Sequence, residues 1–181
     1  MIIRAAIGDD VPRLTDIYNH YVIHSQATFD VDPFTVEQRR EWFSHYAPTG
    51  RHRLLVAEDD GVVCGFATSS PHRPRAAYAT SVETSVYCAP ERTGRGIGSM
   101  LYARLFDELA GEDLHRALAG ITLPNDPSVS LHERFGFVKI GEYSEVGRKF
   151  GRFCDVAWFE KRLNEAEQLV GRPGLEPGPP D

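Results

Sequence analysis

The sequence predicts an α/β fold with a mixed sheet, because strand-like and helix-like segments alternate and the last part of the chain is strand-rich. The clearest unit begins at residues 85–88, an apolar β-branched and aromatic run typical of a strand. Pro90 ends this strand, since it has no N–H for a ladder. Glycines at positions 94, 96 and 98 then lead into a helix. Its apolar stripe recurs at every fourth residue: Ile97, Leu101, Leu105 and Leu109.

The first half of the chain supplies two helices and three strands. A short strand is predicted over 2–6, followed by a helix that Asp9 or Asp10 caps and that ends at 19–21. The segment up to Pro33 is expected to be irregular. The spacing of Thr35 and Gln38 is that of a capping box and predicts a helix through residue 46. Strands follow over 54–58 and 62–69, joined at the hairpin signal Asp60-Gly61.

The second half continues the alternation. Residues 79–88 form a strand that is either buried on both faces or bulged, and a bulge would leave backbone N–H groups free for a ligand. The helix that follows runs to about 110, where Gly111 stops it. A strand over 114–123, a turn and a short helix over 128–134 come next. Strands over 137–143 and 153–162 complete the pattern, with a turn expected near Gly147.

Composition indicates one globular domain. The chain has 181 residues, 41% of them hydrophobic and 25% charged, and a net charge of −6 that argues weakly against nucleic acid as a partner. It contains no apolar run of membrane-spanning length and no signal-peptide pattern. The three cysteines lack paired or metal-ligand spacing, so we expect free thiols, a reducing cytoplasm and no metal.

The last 18 residues differ in composition from the rest. Residues 172–181 are rich in proline and glycine and cannot build a core element. We therefore expect a folded domain over 1–163 and a disordered tail over 164–181.

The glycine-rich turn is typical of a phosphate site. Backbone without Cβ atoms allows close approach, and the first N–H groups of the following helix are free and partly positive. The common nucleotide motifs do not fit. Ser99 follows Gly98 with no lysine, so the Walker pattern fails, and the spacing G-x-G-x-G differs from the dinucleotide fingerprint.

The remaining pattern, Arg95-Gly96-Ile97-Gly98 before a leucine-rich helix, resembles the pyrophosphate loop of the GNAT acetyltransferases, which holds coenzyme A. Thr93 departs from the glutamine or arginine of that motif, and Arg92 lies beside it. Four further segments resemble the phosphinothricin N-acetyltransferase branch of the family. They are residues 19–21, 82–87, 123–137 and 147–156, and the likeness covers about 2–163.

The resemblance implies a single GNAT-like domain, with a mixed, mostly antiparallel twisted sheet flanked by helices on both faces. It implies transfer of acetyl from acetyl-CoA to the amine of a small amino-acid-like molecule, such as phosphinothricin, methionine sulfoximine or methionine sulfone. Members of the branch are often homodimers, so a homodimer is expected as well.

The resemblance also assigns residues to roles. Glu83 is the implied general base, with His132 as a second candidate. Backbone contacts to the cosubstrate are implied for Val86, Tyr87 and Cys88, pyrophosphate contacts for Arg95, Gly96, Ile97, Gly98 and Ser99, and pantetheine contacts for Asn125 and Ser128. Arg73 is implied to bind a substrate carboxylate or phosphinate, with Arg75 and Phe29 beside it.

Each assignment has a structural alternative. Glu83 could form an ion pair with a nearby arginine, and His132 could be a hydrogen-bonded core histidine. Phe29 could simply pack inward, and the charged loop carrying His72, Arg73 and Arg75 could be solvated.

Two functional alternatives remain open at the level of sequence. One is acetylation of a different amine, such as a peptide N-terminus, a polyamine or an antibiotic. The other is a non-catalytic protein that binds acetyl-CoA as a sensor.

Overall fold

The computed structural model describes residues 1–163, and the tail expected over 164–181 lies outside this range. Its strands are β1 (Ile2–Ala5), β2 (Leu54–Asp59), β3 (Val62–Pro71), β4 (Ser81–Cys88), β5 (Arg116–Thr122), β6 (Val138–Lys149) and β7 (Arg152–Arg162). Its α-helices are α1 (Val11–His24), α2 (Val36–Phe43), α3 (Ile97–Leu109) and α4 (Asp126–Arg134). No helix within these residues is long and apolar enough to cross a membrane.

The strands form one sheet in the order β1-β2-β3-β4-β5-β7-β6. The pair β4–β5 is parallel, and the other neighbouring pairs are antiparallel. The prediction of a mixed, mostly antiparallel sheet is therefore confirmed.

Helices cover both faces of the sheet, as predicted. On one face α3 and α4 pack against the sheet through residues such as Leu101, Leu105 and Leu131. On the other face α1 and α2 pack through Leu14 and Ile17 of α1 and Trp42 of α2. Alternate residues of β2 thus serve two separate apolar clusters, Leu55 and Ala57 on one face and Leu54 and Val56 on the other.

Strand β4 parts from β5 after a short contact. The two strands pair only over Ser81, Val82 and Glu83, whereas β4 stays in continuous register with β3 up to Cys88. The alternative of a bulge in this strand is therefore wrong, because β4 keeps an unbroken register with β3. The expected free backbone arises instead from the parting of β4 and β5, which leaves the β5 side of residues 84–88 without a strand partner.

Two local signals were accurate, whereas the Asp10 carboxylate does not cap α1 and instead accepts from the Ile7 amide at 2.8 Å. Thr35 caps α2 and exchanges hydrogen bonds with Gln38, at 3.3 and 2.8 Å. Asp60 and Gly61 have φ angles of 50° and 78°, as the hairpin turn between β2 and β3 requires.

Three predicted boundaries were wrong by three residues or more. Helix α2 ends at Phe43 and not at residue 46. Helix α1 continues to His24 instead of ending at 19–21, because the Asn19 side chain bonds the backbone of Phe34 and does not compete with the helix. The last hairpin turns at Phe150 and Gly151, not near Gly147. Both turn residues adopt positive φ, at 50° and 74°, while Gly147 remains within β6.

Candidate active site

A cleft of about 1020 Å³ opens where β4 and β5 part. Most of the predicted cosubstrate residues line it, together with His132. These residues are Val86, Tyr87, Cys88, Gly96, Ile97, Gly98, Ser99, Asn125 and Ser128. Arg95 is exposed and does not line the cleft, and neither do Glu83, Phe29, Arg73 or Arg75.

The glycine-rich loop forms the cleft wall at the start of α3. Gly96 has φ +76° and caps the helix, and a Cβ added there would meet no atom within 4 Å. Gly98 differs, since a Cβ there would stand 3.1 Å from Leu131 Cδ2 of α4. Gly96 thus leaves open space before the free amides of a helix N-terminus, whereas Gly98 permits α3 and α4 to approach.

The end of β4 is anchored from both sides. The Tyr21 hydroxyl of α1 donates a hydrogen bond to the Cys88 carbonyl oxygen at 2.6 Å, and the Ala89 amide donates to Cys64 O at 2.9 Å.

Burial raises the pKa of the Cys88 thiol to about 11, so this cysteine stays protonated at neutral pH. Cys88 is therefore a wall residue and not an activated nucleophile.

Glu83 has a histidine as its ionic partner, not the arginine that the structural alternative predicted. Its Oε2 lies 3.6 Å from Nδ1 of His72, a loop residue that sequence reasoning left among the solvated charges. Burial raises the pKa of Glu83, and the charges of His72 and then Arg73 oppose this rise. The Glu83 side chain is 37% exposed, so a substrate can still reach it.

The other predicted substrate residues lie outside the cleft. Arg73 and Arg75 are exposed in the loop between β3 and β4. Phe29 packs on Gly147 of β6, where an added Cβ would stand 2.2 Å from the phenyl ring. Lys149 fixes the same loop by donating to Thr28 O at 2.7 Å. Gly147, near which the sequence predicted a turn, is thus a glycine because Phe29 of a distant segment packs on it.

His132 lies on the α3 side of the sheet. Its Nδ1 is 2.7 Å from Ser128 O, which can only accept, so Nδ1 carries the proton. Its Nε2 lies 2.9 Å from the Tyr102 hydroxyl and therefore accepts from it. Both nitrogens are thereby occupied, and burial lowers the pKa of His132 below its usual range.

Glu83 belongs to the other side of the sheet. It alternates along β4 with Val82, which packs in the α3 cluster. The geometry thus separates the two candidate bases and leaves Glu83 as the more accessible one. Sequence patterns did not predict that the Tyr102 hydroxyl bonds to His132, since a tyrosine at that position predicts only a core residue.

Similarity to known proteins agrees with this geometry. Residues 14–137 match the model of the Acetyltransferase (GNAT) family. The chain belongs to the GNAT acetyltransferase family.

Relatives of this acetyltransferase include a phosphinothricin N-acetyltransferase of Streptomyces coelicolor, 57% identical over 89% of this chain and 95% of that protein. An L-methionine sulfoximine/L-methionine sulfone acetyltransferase of Salmonella typhimurium is 35% identical over 91% of this chain and 96% of that protein. Among solved structures, a phosphinothricin acetyltransferase of Sinorhizobium meliloti, in complex with acetyl-CoA, is 31% identical with a TM-score of 0.88. The match covers 97% of this chain and 95% of that one.

The hydrogen bonds of His132 predict a pH-dependent contribution to the stability of the acetyltransferase. Because its pKa is lowered in the fold, the unfolded chain binds more protons below about pH 6.5, and stability is lost as the pH falls. The substitution His132→Gln should therefore reduce the free energy of unfolding more at about pH 7.5 than at about pH 5.5, with a loss of ~1–3 kcal/mol at the higher pH. Urea denaturation at both pH values measures this.

His45→Gln is the matched control, since His45 is exposed and its loss should cost little at either pH. An equal loss for His132→Gln at both pH values would contradict the assigned neutral state.

Proposed function

We propose that this GNAT enzyme transfers the acetyl group of acetyl-CoA to the amine of a small amino-acid-like molecule such as phosphinothricin or methionine sulfoximine. One observation carries the proposal: β4 leaves β5 directly after Glu83. The carboxylate therefore lies next to the stretch of β4 whose backbone is free to bind an acyl donor. The names of the relatives support the choice of acceptor.

The cleft suits acetyl-CoA in three respects. The space before Gly96 and the amides at the start of α3 suit a pyrophosphate. The unpaired side of residues 84–88 suits the amide-bearing pantetheine arm. Asn125 caps α4 through Ser128 N at 3.3 Å, so its oxygen is already engaged and its amide nitrogen is the better candidate for that arm.

Acetyl transfer requires an amine with a free lone pair. An α-amine with a pKa near 8 is only about one-tenth deprotonated at pH 7. Glu83 would take the proton, directly or through a water molecule, and burial strengthens it as a base because it raises its pKa. A backbone N–H of Val86 or Tyr87 on the side that β5 vacates would polarise the thioester carbonyl.

The acceptor would be held by the loop between β3 and β4. The exposed guanidinium groups of Arg73 and Arg75 suit a carboxylate or phosphinate, which arginine can bind with two hydrogen bonds. Phe29, fixed against Gly147, would border the same region. We further place the enzyme in the cytoplasm, in keeping with its free cysteines, and fractionation of cells would test this.

The test is thiol release from acetyl-CoA with an amine panel of phosphinothricin, methionine sulfoximine, methionine sulfone, ordinary amino acids, spermidine and an aminoglycoside. We expect turnover with the first three. Glu83→Gln should lower kcat by about 10²- to 10⁴-fold because it removes the base. Glu37→Gln, at an exposed position, should retain wild-type kcat.

Normal turnover by Glu83→Gln would show that another group is the base. Turnover only with spermidine or the aminoglycoside would replace the proposed acceptor class. Binding of acetyl-CoA without turnover of any amine would favour the sensor.

Gly96→Val tests the pyrophosphate loop. A branched side chain should fill the open space before the α3 amides and weaken acetyl-CoA binding by at least about tenfold, as measured by calorimetry. Gly151→Val is the matched control, because Gly151 shares the positive φ and the open surroundings but does not line the cleft. Equal affinity of Gly96→Val and wild type would refute this role of the loop.

We also propose that the enzyme is a homodimer. Strand β6 lies at the sheet edge with exposed apolar side chains that include Val138, Ile140 and Val146, a pattern common at interfaces. Replacing Val138 and Ile140 by lysine should give a monomer in sedimentation equilibrium. Val62→Lys is the control, since Val62 is 49% exposed and Ile140 51%. A monomeric wild type would contradict the proposal.

A further inference from the structure

His72 lies beside Glu83 and has a half-buried side chain with an unpartnered ring nitrogen among the described residues. Its side chain is only 12% exposed, and Nδ1 is buried without a hydrogen-bond partner within the described residues. Glu83 Oε2 lies 3.6 Å from Nδ1, just beyond hydrogen-bond distance. A buried polar atom without a partner costs free energy, so its placement calls for an explanation.

Aromatic rings hold the imidazole in place. Tyr78, from the short turn after the Arg73 loop, and Trp158 of β7 make edge-on contacts with centroid distances of 5.8 and 6.1 Å. Trp158 also covers Gly120, a cleft residue, where an added Cβ would stand 3.4 Å from the indole. The imidazole is therefore fixed at the border between the cleft and Glu83.

The charges around His72 leave Glu83 as its natural partner. Strand β4 contributes Glu83, the loop contributes Arg73, and the following turn contributes the phenol of Tyr78. Strand β7 contributes the neutral indole of Trp158, and Glu160 of the same strand is paired with Arg116 of β5. A phenylalanine would fill the space between these rings without burying a polar nitrogen, so packing alone does not account for an imidazole.

We propose that His72 is a positioning residue that holds the Glu83 carboxylate as the acceptor of the amine's proton. The inference rests on the proposed function and adds a residue to it. A small movement would convert the 3.6 Å contact into a charge-assisted hydrogen bond from Nδ1–H to Oε2. This bond would fix one carboxylate oxygen and leave the other directed toward the substrate.

The charge of Glu83 responds to this contact. Burial raises its pKa, and His72 is the strongest opposing influence, ahead of Arg73. Without His72 the carboxylate should therefore remain protonated to higher pH, where it cannot accept a proton.

Two variants test the proposal. His72→Phe fills the space between the rings, and His72→Gln keeps a polar group without a charge. We expect both to move the acidic limb of the kcat/KM profile to higher pH and to lower kcat/KM at about pH 6 roughly tenfold, while acetyl-CoA affinity is unchanged. In the Glu83→Gln background neither substitution should change the residual rate further.

A second measurement does not depend on turnover. The side-chain carboxyl carbon of Glu83, observed by NMR, should titrate at higher pH in His72→Phe and His72→Gln than in the wild type. An unmoved titration in both variants, or an unmoved acidic limb, would overturn the proposal. A moved titration in an enzyme that acetylates no amine of the panel would support the contact and refute the proposed function.

Discussion

The parting of β4 from β5 is the constraint on which the rest of the site depends. Each strand remains paired on its outer side, β4 with β3 up to Cys88 and β5 with β7 up to Thr122. Only their inner edges lose partners, after Glu83 and Leu118. Unpaired backbone groups in a sheet must bond to water or to a ligand. The cleft is therefore an interruption in the hydrogen-bond ladder between β4 and β5. It is stable because β4 stays paired with β3 and β5 with β7.

The helices at the cleft determine how this interruption is used. Helix α3 starts at the open end and directs its free amides there, because Gly96 takes the left-handed conformation before it. Helix α4 approaches α3 closely because Gly98 lacks a side chain facing Leu131. Two glycines in one short motif thus have different functions. Gly96 provides open space and the left-handed conformation, and Gly98 allows the two helices to pack. A sequence motif cannot distinguish these roles, since both positions simply read glycine.

Much of the fold followed from the sequence because its signals are local. The Thr35 capping box, the Asp60-Gly61 turn and the apolar stripe of α3 each involve residues within one or two turns of chain. The errors at the end of α1 and at Gly147 came from long-range contacts. Gly147 resembles a turn residue, but it is a glycine because Phe29 packs on it. The cosubstrate residues came from a resemblance, and the structure brings most of them to one cleft.

The loop histidine escaped prediction for the same reason. Nothing near His72 in the sequence indicates that it meets Glu83 of β4 and Trp158 of β7. Its neighbours Arg73 and Arg75 are exposed, so a solvated loop was the natural interpretation of the whole segment.

The two ends of the site differ in what they are built from, and this bears on specificity. The proposed cosubstrate end would use backbone amides, glycines and the N-terminus of α3, which change little with side-chain substitution. The proposed acceptor end would use side chains from separate segments, with Phe29 from one loop, His72 from another and Glu83 from β4. Substitution there can alter the acceptor without disturbing the sheet or the binding of acetyl-CoA. A family with one donor and several acceptors is the expected result of such a division, because the fold fixes only the donor end.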